Sequence, residues 1–304
     1  VKSFIEDSVS FLSYGSHMDF YDVVKKYLDK LLINVLNEAL LKLIRNPTLA
    51  VSQAMQIAAN MTVLERSCDF FARYAAQMTG DPIRIIDRPQ ASLAARSVLL
   101  TSQGAAHEQM FVLVKSKVDE FMQLTDNINW TPEEPPLNSN EYLSEVSIYL
   151  ETIVSLAQQI LPLEALDALI GGVLTHISDE IVATMCSKEV QKFNINAIVG
   201  LDADLKILES FADERFRSTG LNELQGATDL RQCLSEGRQL VNLLLSNQPE
   251  NFMNPVIRQK SYSALDSEKV LVIAEKYRDL PEKYFGSRNP KNVGRKKSID
   301  LLIR

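Results

Sequence analysis

Apolar residues recur every three or four positions along most of the chain, which is the period of an amphipathic α-helix. The clearest run lies between residues 20 and 44, where one broad apolar face continues for about seven turns. Asn46 and Pro47 follow it, and a proline ends a helix because it lacks a backbone donor and disfavours the α conformation just before it. No strand-like alternation bounded by hairpin turns is visible. The pattern therefore predicts an all-α fold built from successive helical bundles.

The predicted helices are joined by connectors rich in proline, glycine and asparagine. They cover residues 2–13, 19–44, 48–78, 90–126, 140–159, 162–186, 189–216, 230–245, 266–278 and 298–304, with a possible division of the fourth at Gly104. The sharpest break is Thr131-Pro132-Glu133-Glu134-Pro135-Pro136, since consecutive prolines favour an extended, solvated linker. We therefore predict an N-terminal bundle over 1–130, a linker over 131–139 and a C-terminal bundle over 140–304.

The stretch from 230 to 257 combines an apolar helical face, a polar face and a helix stop. Its apolar side holds Leu230, Leu234, Leu240, Val241, Leu244 and Leu245. Its other side holds Arg231, Ser235, Arg238 and Asn242, which we call the polar stripe. Glycine inside a helix costs about 1 kcal/mol relative to alanine, so Gly237 predicts that a second helix or a partner approaches closely there.

The polar stripe is the candidate contact surface for a partner. Phe252 and Asn254 follow the stripe, and an aromatic side chain beside arginines is a common anchor at interfaces. The candidate partner-binding residues are Arg231, Ser235, Arg238, Asn242, Phe252 and Asn254. The plainer alternative is an ordinary solvated helix face, which is the more frequent role of such a stripe.

A basic tail near the end of the chain gives a second candidate surface. Lys291, Arg295, Lys296 and Lys297 could bind anionic phospholipid, at about 1 kcal/mol per charge near a membrane. A tail that serves only solubility is the commoner case. The net charge of -7 argues against nucleic-acid binding, which requires a basic footprint. No apolar run reaches the roughly 18 residues of a membrane span.

The residues that carry chemistry are scattered. His17, His107 and His176 do not form a metal-binding or triad pattern, and we interpret His176 and Asp179 as a local structural pair. The sequence contains no phosphate-binding glycine loop and no nucleophile elbow. We therefore predict a protein without enzymatic activity and without a cofactor or metal.

The three cysteines indicate a compartment. They are odd in number, widely spaced and each inside a helical pattern, which favours reduced thiols in the cytosol over a disulfide framework.

The composition, with 46% hydrophobic and 23% charged residues, is that of a globular protein and not of a disordered one. The chain begins with valine inside a helical pattern, so we expect it to be part of a longer protein.

Four long sequence blocks between residues 140 and 279 are specific enough to compare with a known family: NEYLSEVSIYLETIVSLAQQILP, KFNINAIVGLDADLKILESFAD, LRQCLSEGRQLVNLLLSNQPENFMNPVI and YSALDSEKVLVIAEKYRD. They resemble the C-terminal half of exocyst complex component six, the Sec-fifteen family, in its plant-type form. Two upstream blocks, VKSFIEDSVSFLSYG and DFYDVVKKYLDKLL, resemble the same family. The resemblance thus extends over both predicted bundles.

The resemblance implies a non-enzymatic role in vesicle tethering. Members of this family are subunits of the exocyst, a rod-like helical assembly that tethers secretory vesicles to the plasma membrane, and their C-terminal regions are tandem helical bundles. The resemblance implies other exocyst subunits and a GTP-loaded Rab GTPase as partners, at a cytoplasmic location on vesicles and plasma membrane. An adaptor that binds anionic phospholipid through the basic tail is the alternative.

Overall fold

The computed structural model describes residues 1–10, 20–79, 92–279 and 295–302, and every named element in these ranges is a helix. The α-helices are α1 (Lys2–Val9), α2 (Phe20–Lys30), α3 (Glu38–Ile44), α4 (Val51–Met78), α5 (Ala95–Met122), α6 (Glu141–Ile160), α7 (Leu163–Cys186), α8 (Ile195–Ser218), α9 (Ser235–Leu245), α10 (Pro255–Ser261), α11 (Ser267–Lys276) and α12 (Arg295–Asp300). One isolated bridge, between Phe193 and Tyr277, is the sole β-type pairing in the described ranges. The predicted all-α class is confirmed.

Shorter helical segments complete the chain. A π-helical segment, Leu31–Asn37, joins α2 to α3, and 3-10 turns occupy Gln123–Asn127, Leu221–Glu223, Gln232–Leu234 and Pro249–Met253. The predicted helix over 20–44 is therefore present, with a wider turn in its middle. Helix α5 is continuous through Gly104, so the possible division there is wrong. Helix α10 is an element that the sequence pattern does not predict.

Helix α8 begins later than the sequence predicts. The pattern places its start at Glu189, whereas the helix begins at Ile195. Asn194 caps it, because its Oδ1 accepts from the N–H groups of Asn196 (3.0 Å) and Ala197 (3.2 Å). Residues 189–194 are not helical, and Phe193 exchanges backbone hydrogen bonds with Lys276 and Arg278 on either side of Tyr277.

The chain divides into two compact units. Unit 1 comprises Val1–Leu113 with Gln159–Pro162, and unit 2 comprises Val114–Gln158 with Leu163–Arg304. In unit 1, helices α1, α2 and α4 and the start of α5 bury a shared apolar core. Its buried members include Ile5, Tyr21, Val24, Leu28, Leu32, Cys68, Ala72, Leu93 and Leu99.

The proline-rich segment belongs to unit 2 together with the residues on both sides of it. The side-chain amide of Asn196 donates to the carbonyls of Pro132 (3.1 Å) and Glu133 (2.9 Å). Pro136 lies against α8 so closely that a Cβ at Gly200 would meet it at 2.8 Å. Asn196 of α8 thus supplies donors to two carbonyls of the segment, while residues 131 and 133–138 are exposed, as expected of a solvated segment. The domain boundary over 131–139 stays a prediction.

Helix α7 is the central helix of unit 2, and most of its side chains are buried. It is packed against α9 and α11. By length and composition it could cross a membrane, a feature that the sequence analysis did not predict, but 61% of its most apolar window is buried inside the unit. That burial is typical of the core helix of a helical bundle.

Candidate partner-binding surface

Gly237 is the point at which α9 meets two other helices. Its N–H donates to Ser178 Oγ of α7 at 3.0 Å. A Cβ at Gly237 would lie 3.2 Å from that oxygen and 3.5 Å from Leu205 Cδ2 of α8. The close approach predicted from this glycine is confirmed, and the approaching elements belong to the same chain.

The polar stripe on α9 is directed at α8. Arg238 binds Glu209 through two hydrogen bonds, from Nε to Oε1 (2.7 Å) and from Nη2 to Oε2 (3.0 Å). Its Nη1 also donates to Asp202 Oδ1 at 2.5 Å. The arginine side chain is only 17% exposed, and its two partners are 14% and 18% exposed. A planar guanidinium held by two carboxylates in this way is fixed in place.

Arg231 extends the same network at a more exposed position. Its Nη2 lies 3.7 Å from Glu209 Oε2 and its Nε lies 3.6 Å from Asp213 Oδ1, and its side chain is 56% exposed. The carboxylates come from one face of α8, the face that holds Asp202, Lys206, Glu209 and Asp213. Each of these polar faces would be solvated on an isolated helix. In the fold, the arginines at α9 pair with the carboxylates of α8, and their opposite charges neutralise one another.

This pairing corrects the sequence-based surface. The prediction placed Arg238 and its neighbours in contact with a partner, but the carboxylates of α8 already occupy the guanidinium of Arg238. Ser235 is half-buried, and Asn242 is the stripe residue that stays fully exposed beside Arg231. The stripe is mainly an internal contact of unit 2.

Phe252 and Asn254 are also used by the fold. Phe252 is 3% exposed, and its ring contacts the ring of Tyr262 (centroids 5.9 Å apart) and the guanidinium of Arg258 (5.8 Å from the ring centroid). Phe252 therefore has almost no exposed surface with which to serve as the predicted aromatic anchor. Asn254 caps α10, since its Oδ1 accepts from the N–H groups of Val256 (3.0 Å) and Ile257 (3.5 Å).

An exposed apolar turn lies beside these two residues. Helix α10 has no buried residue, Val256 is 75% exposed and Met253 is 54% exposed. We call Met253, Asn254 and Val256 the exposed turn. The sequence analysis missed Met253 and Val256 because it took Phe252 and Asn254 as the candidate contacts and not the apolar residues beside them. The signal that could have found them is an asparagine cap followed by proline at the first helical position.

The described part of the basic tail is anchored to the rest of unit 2 through Arg295 and Lys296. Arg295 is 8% exposed, and its guanidinium donates to the carbonyls of Leu244 (3.1 Å) and Ser246 at the end of α9. Lys296 donates its backbone N–H to Asp279 (3.0 Å) and pairs with Asp300 (2.7 Å). Burial contradicts a lipid-binding role for Arg295 in this arrangement. Lys297 is exposed, and Lys291 lies outside the described residues.

His176 has a different partner from the one that the sequence predicts. Its Nε2 contacts Asp119 Oδ1 of α5, and its Nδ1 lies 3.9 Å from Glu180 Oε1, so the predicted pair with Asp179 is wrong. The imidazole is 7% exposed. The contact ties α5 to α7, and His176, Asp119 and Glu180 are the one cluster in the described ranges whose donor atoms could share a metal ion.

A buried carboxylate joins α6 to α8. Asp204 is fully buried and accepts from the backbone N–H (3.0 Å) and side-chain amide (2.6 Å) of Asn140, the residue before α6. Burial raises the pKa of the Asp204 carboxyl above its usual value, although these hydrogen bonds oppose the rise. Asp204 is thus a structural residue.

The three cysteines are free thiols that form no disulfide, and Cys68 is buried.

Comparison with known proteins gives a consistent assignment. The family described as "Exocyst complex subunit Sec15 C-terminal" matches residues 1–276. The chain is 52% identical to exocyst complex component SEC15A of Arabidopsis thaliana, over 99% of this chain and 39% of that protein. It is 49% identical to SEC15B of the same plant, over all of this chain and 38% of that protein. Exocyst complex component 6 of Homo sapiens is 24% identical over 100% of this chain and 37% of its own length.

A solved structure shows a similar fold. A chain in the structure of Myo2-GTD in complex with Smy1 aligns with a TM-score of 0.53 and 13% identity, over 99% of this chain and 72% of that one. The packed helices of the described ranges define the class of helical-bundle proteins. More specifically, the chain belongs to the Sec15 C-terminal family of exocyst subunits. It spans well under half the length of these Arabidopsis relatives.

Proposed function

We propose that this chain is the part of an exocyst subunit that docks secretory vesicles at the plasma membrane by binding a GTP-loaded Rab GTPase together with other exocyst subunits. Membership of the Sec15 C-terminal family supports a place in the exocyst. The protein then works on the cytoplasmic side, at vesicles and plasma membrane, by recognition and without catalysis. Recognition would depend on nucleotide because the switch loops of a GTPase are ordered in the GTP form.

The exposed turn is the surface that supports this proposal best. Met253 (54% exposed) ends the 3-10 turn Pro249–Met253, and Val256 (75% exposed) lies on α10, a helix with no buried residue. Exposed apolar groups beside polar ones are typical of protein contact sites. Asn242, in the last turn of α9, is an exposed polar residue and could add hydrogen bonds. The exposed turn therefore replaces Arg238 and Phe252 as the centre of the proposed surface.

A pull-down against a panel of GTP-locked and GDP-loaded Rab GTPases tests the proposal. Met253→Glu or Val256→Glu should weaken capture of the GTP form about ten-fold or more, since a charge would enter an apolar contact. Val63→Glu is the matched control, because Val63 is also an exposed helical valine (63%) but lies in unit 1. Equal capture by all variants would reject the exposed turn, and no capture by the unaltered chain would reject the Rab proposal.

A further inference from the structure

A short basic motif in α12 directly precedes a serine, Ser298. Ser298 is preceded by Arg295, Lys296 and Lys297, so arginine stands three residues before the serine. Serine/threonine kinases that prefer basic substrates recognise this arrangement, because acidic groups in their substrate clefts bind the arginine and its neighbours. The motif lies beyond residues 1–276, the part of the chain that the family match covers.

In this structure the basic motif is not accessible to a kinase. Arg295 is 8% exposed and is held by the carbonyls at the end of α9. Ile299 and Leu302 are buried to 0% and 1% exposure, and Ser298 itself is half-buried. A kinase cannot bind the Arg295 guanidinium while the end of α9 holds it. Recognition therefore requires that α12 first leaves its place.

We propose that Ser298 is a phosphorylation site whose use is controlled by the docking of α12. A kinase would transfer the γ-phosphoryl group of ATP to Ser298 Oγ: the Oγ–P bond forms as the bond between the γ-phosphorus and the β,γ-bridging oxygen breaks, ADP leaves, and the hydroxyl proton passes to a base of the kinase. The reaction takes place on the undocked form of α12. This proposal is independent of Rab binding.

The added phosphate holds α12 away from unit 2. It would carry close to two negative charges, two residues before Asp300 and near the carbonyl end of a six-residue helix. Like charges and the helix dipole both oppose this arrangement, and the half-buried position of Ser298 adds a desolvation cost. Helix α12 contacts the 3-10 turn Pro249–Met253, so its release would also change the surroundings of Met253.

The test combines phosphorylation with hydrogen exchange on the 304-residue chain. The catalytic subunit of a basophilic kinase and ATP should modify the unaltered chain at Ser298, located by mass spectrometry, and Ser298→Ala should remove that product. Ile299→Ser weakens docking without altering the basic motif. It should speed phosphorylation about ten-fold or more, since loss of a buried aliphatic contact shifts local opening by such a factor.

Two further variants separate docking from the motif itself. Leu301→Ala changes a partly exposed residue of the same segment (42% exposed) and should leave the rate unchanged. Ser298→Glu should increase amide exchange in 295–302. A chain in which neither the native form nor Ile299→Ser is modified at Ser298 overturns the site. Equal rates for Ile299→Ser and the unaltered chain overturn its control by docking, and unchanged exchange in Ser298→Glu overturns the release.

Discussion

At the scale of single residues, Arg238 separates what the sequence predicts from what packing decides. Periodicity correctly places it on a polar face with Arg231 and Asn242. Periodicity also places Glu209 and Asp202 on a polar face of another helix. No local sequence pattern predicts that these two faces meet, because Glu209 and Asp202 lie 29 and 36 positions from Arg238. The same reasoning shows why the role of Phe252 was mistaken, since burial depends on Tyr262 and Arg258 lying over its ring.

We expect Arg238→Ala to lower the free energy of unfolding of unit 2 by about 2 kcal/mol, because Glu209 and Asp202 would lose their bidentate and single hydrogen bonds while mostly buried. Urea denaturation measures this change. Arg231→Ala is the control and should cost no more than about 0.5 kcal/mol, since its ion pairs are longer and exposed. Equal costs for the two variants would contradict the internal role of Arg238.

At the scale of elements, the existence of a helix is predictable where its apolar periodicity is long. The residues at which a helix begins and ends are less predictable. Helices α4, α6 and α7 lie close to their predicted bounds because periodicity and flanking prolines agree. The start of α8 was misplaced because Asn194 and the pairing of Phe193 with Tyr277 decide it. Helix α10 was missed because it buries nothing and so carries no apolar period.

Two glycines provide a matched test of helix packing. Gly237→Val should destabilise unit 2 by about 3 kcal/mol, because the new side chain would enter the space of Ser178 and Leu205. Gly104→Ala should instead stabilise the protein by about 0.5 to 1 kcal/mol, since nothing lies within 4 Å of the added methyl and alanine favours the helix. Thermal unfolding measures both. Tolerance of Gly237→Val would contradict the packing of α9.

The link between α6 and α8 should depend on pH. The pKa of Asp204 is raised in the folded state by burial, above an unfolded value of about 3.9. Its contribution to stability is therefore complete below that value and is lost as pH rises through the folded pKa. Asp204→Asn keeps an oxygen acceptor for the Asn140 N–H but does not ionise. The unaltered chain should lose stability relative to this variant as pH rises from about 4, measured by urea denaturation; parallel curves would contradict the raised pKa.

At the scale of the whole molecule, the family and the proposed function rest on different evidence. The all-α class follows from periodicity, and the family follows from long sequence blocks that the comparisons confirm. The proposed contact surface could not be predicted from the sequence, because it depends on which groups remain exposed after the helices pack. Arg238 is not available to a partner because it pairs with α8, and Arg295 is not available because it binds the carbonyls at the end of α9. Among the described residues, the exposed turn has no such contact to give up.

Hydrogen exchange with and without a GTP-loaded Rab GTPase tests the central claim most directly. We predict slower amide exchange at residues 249–261 in the complex, strongest around Met253 and Val256, and no such protection with the GDP-loaded form. Residues 202–213 of α8 should be equally protected in both states, because Arg238 already covers them. Protection confined to other parts of the chain, or none with any GTP-loaded Rab, would contradict the account.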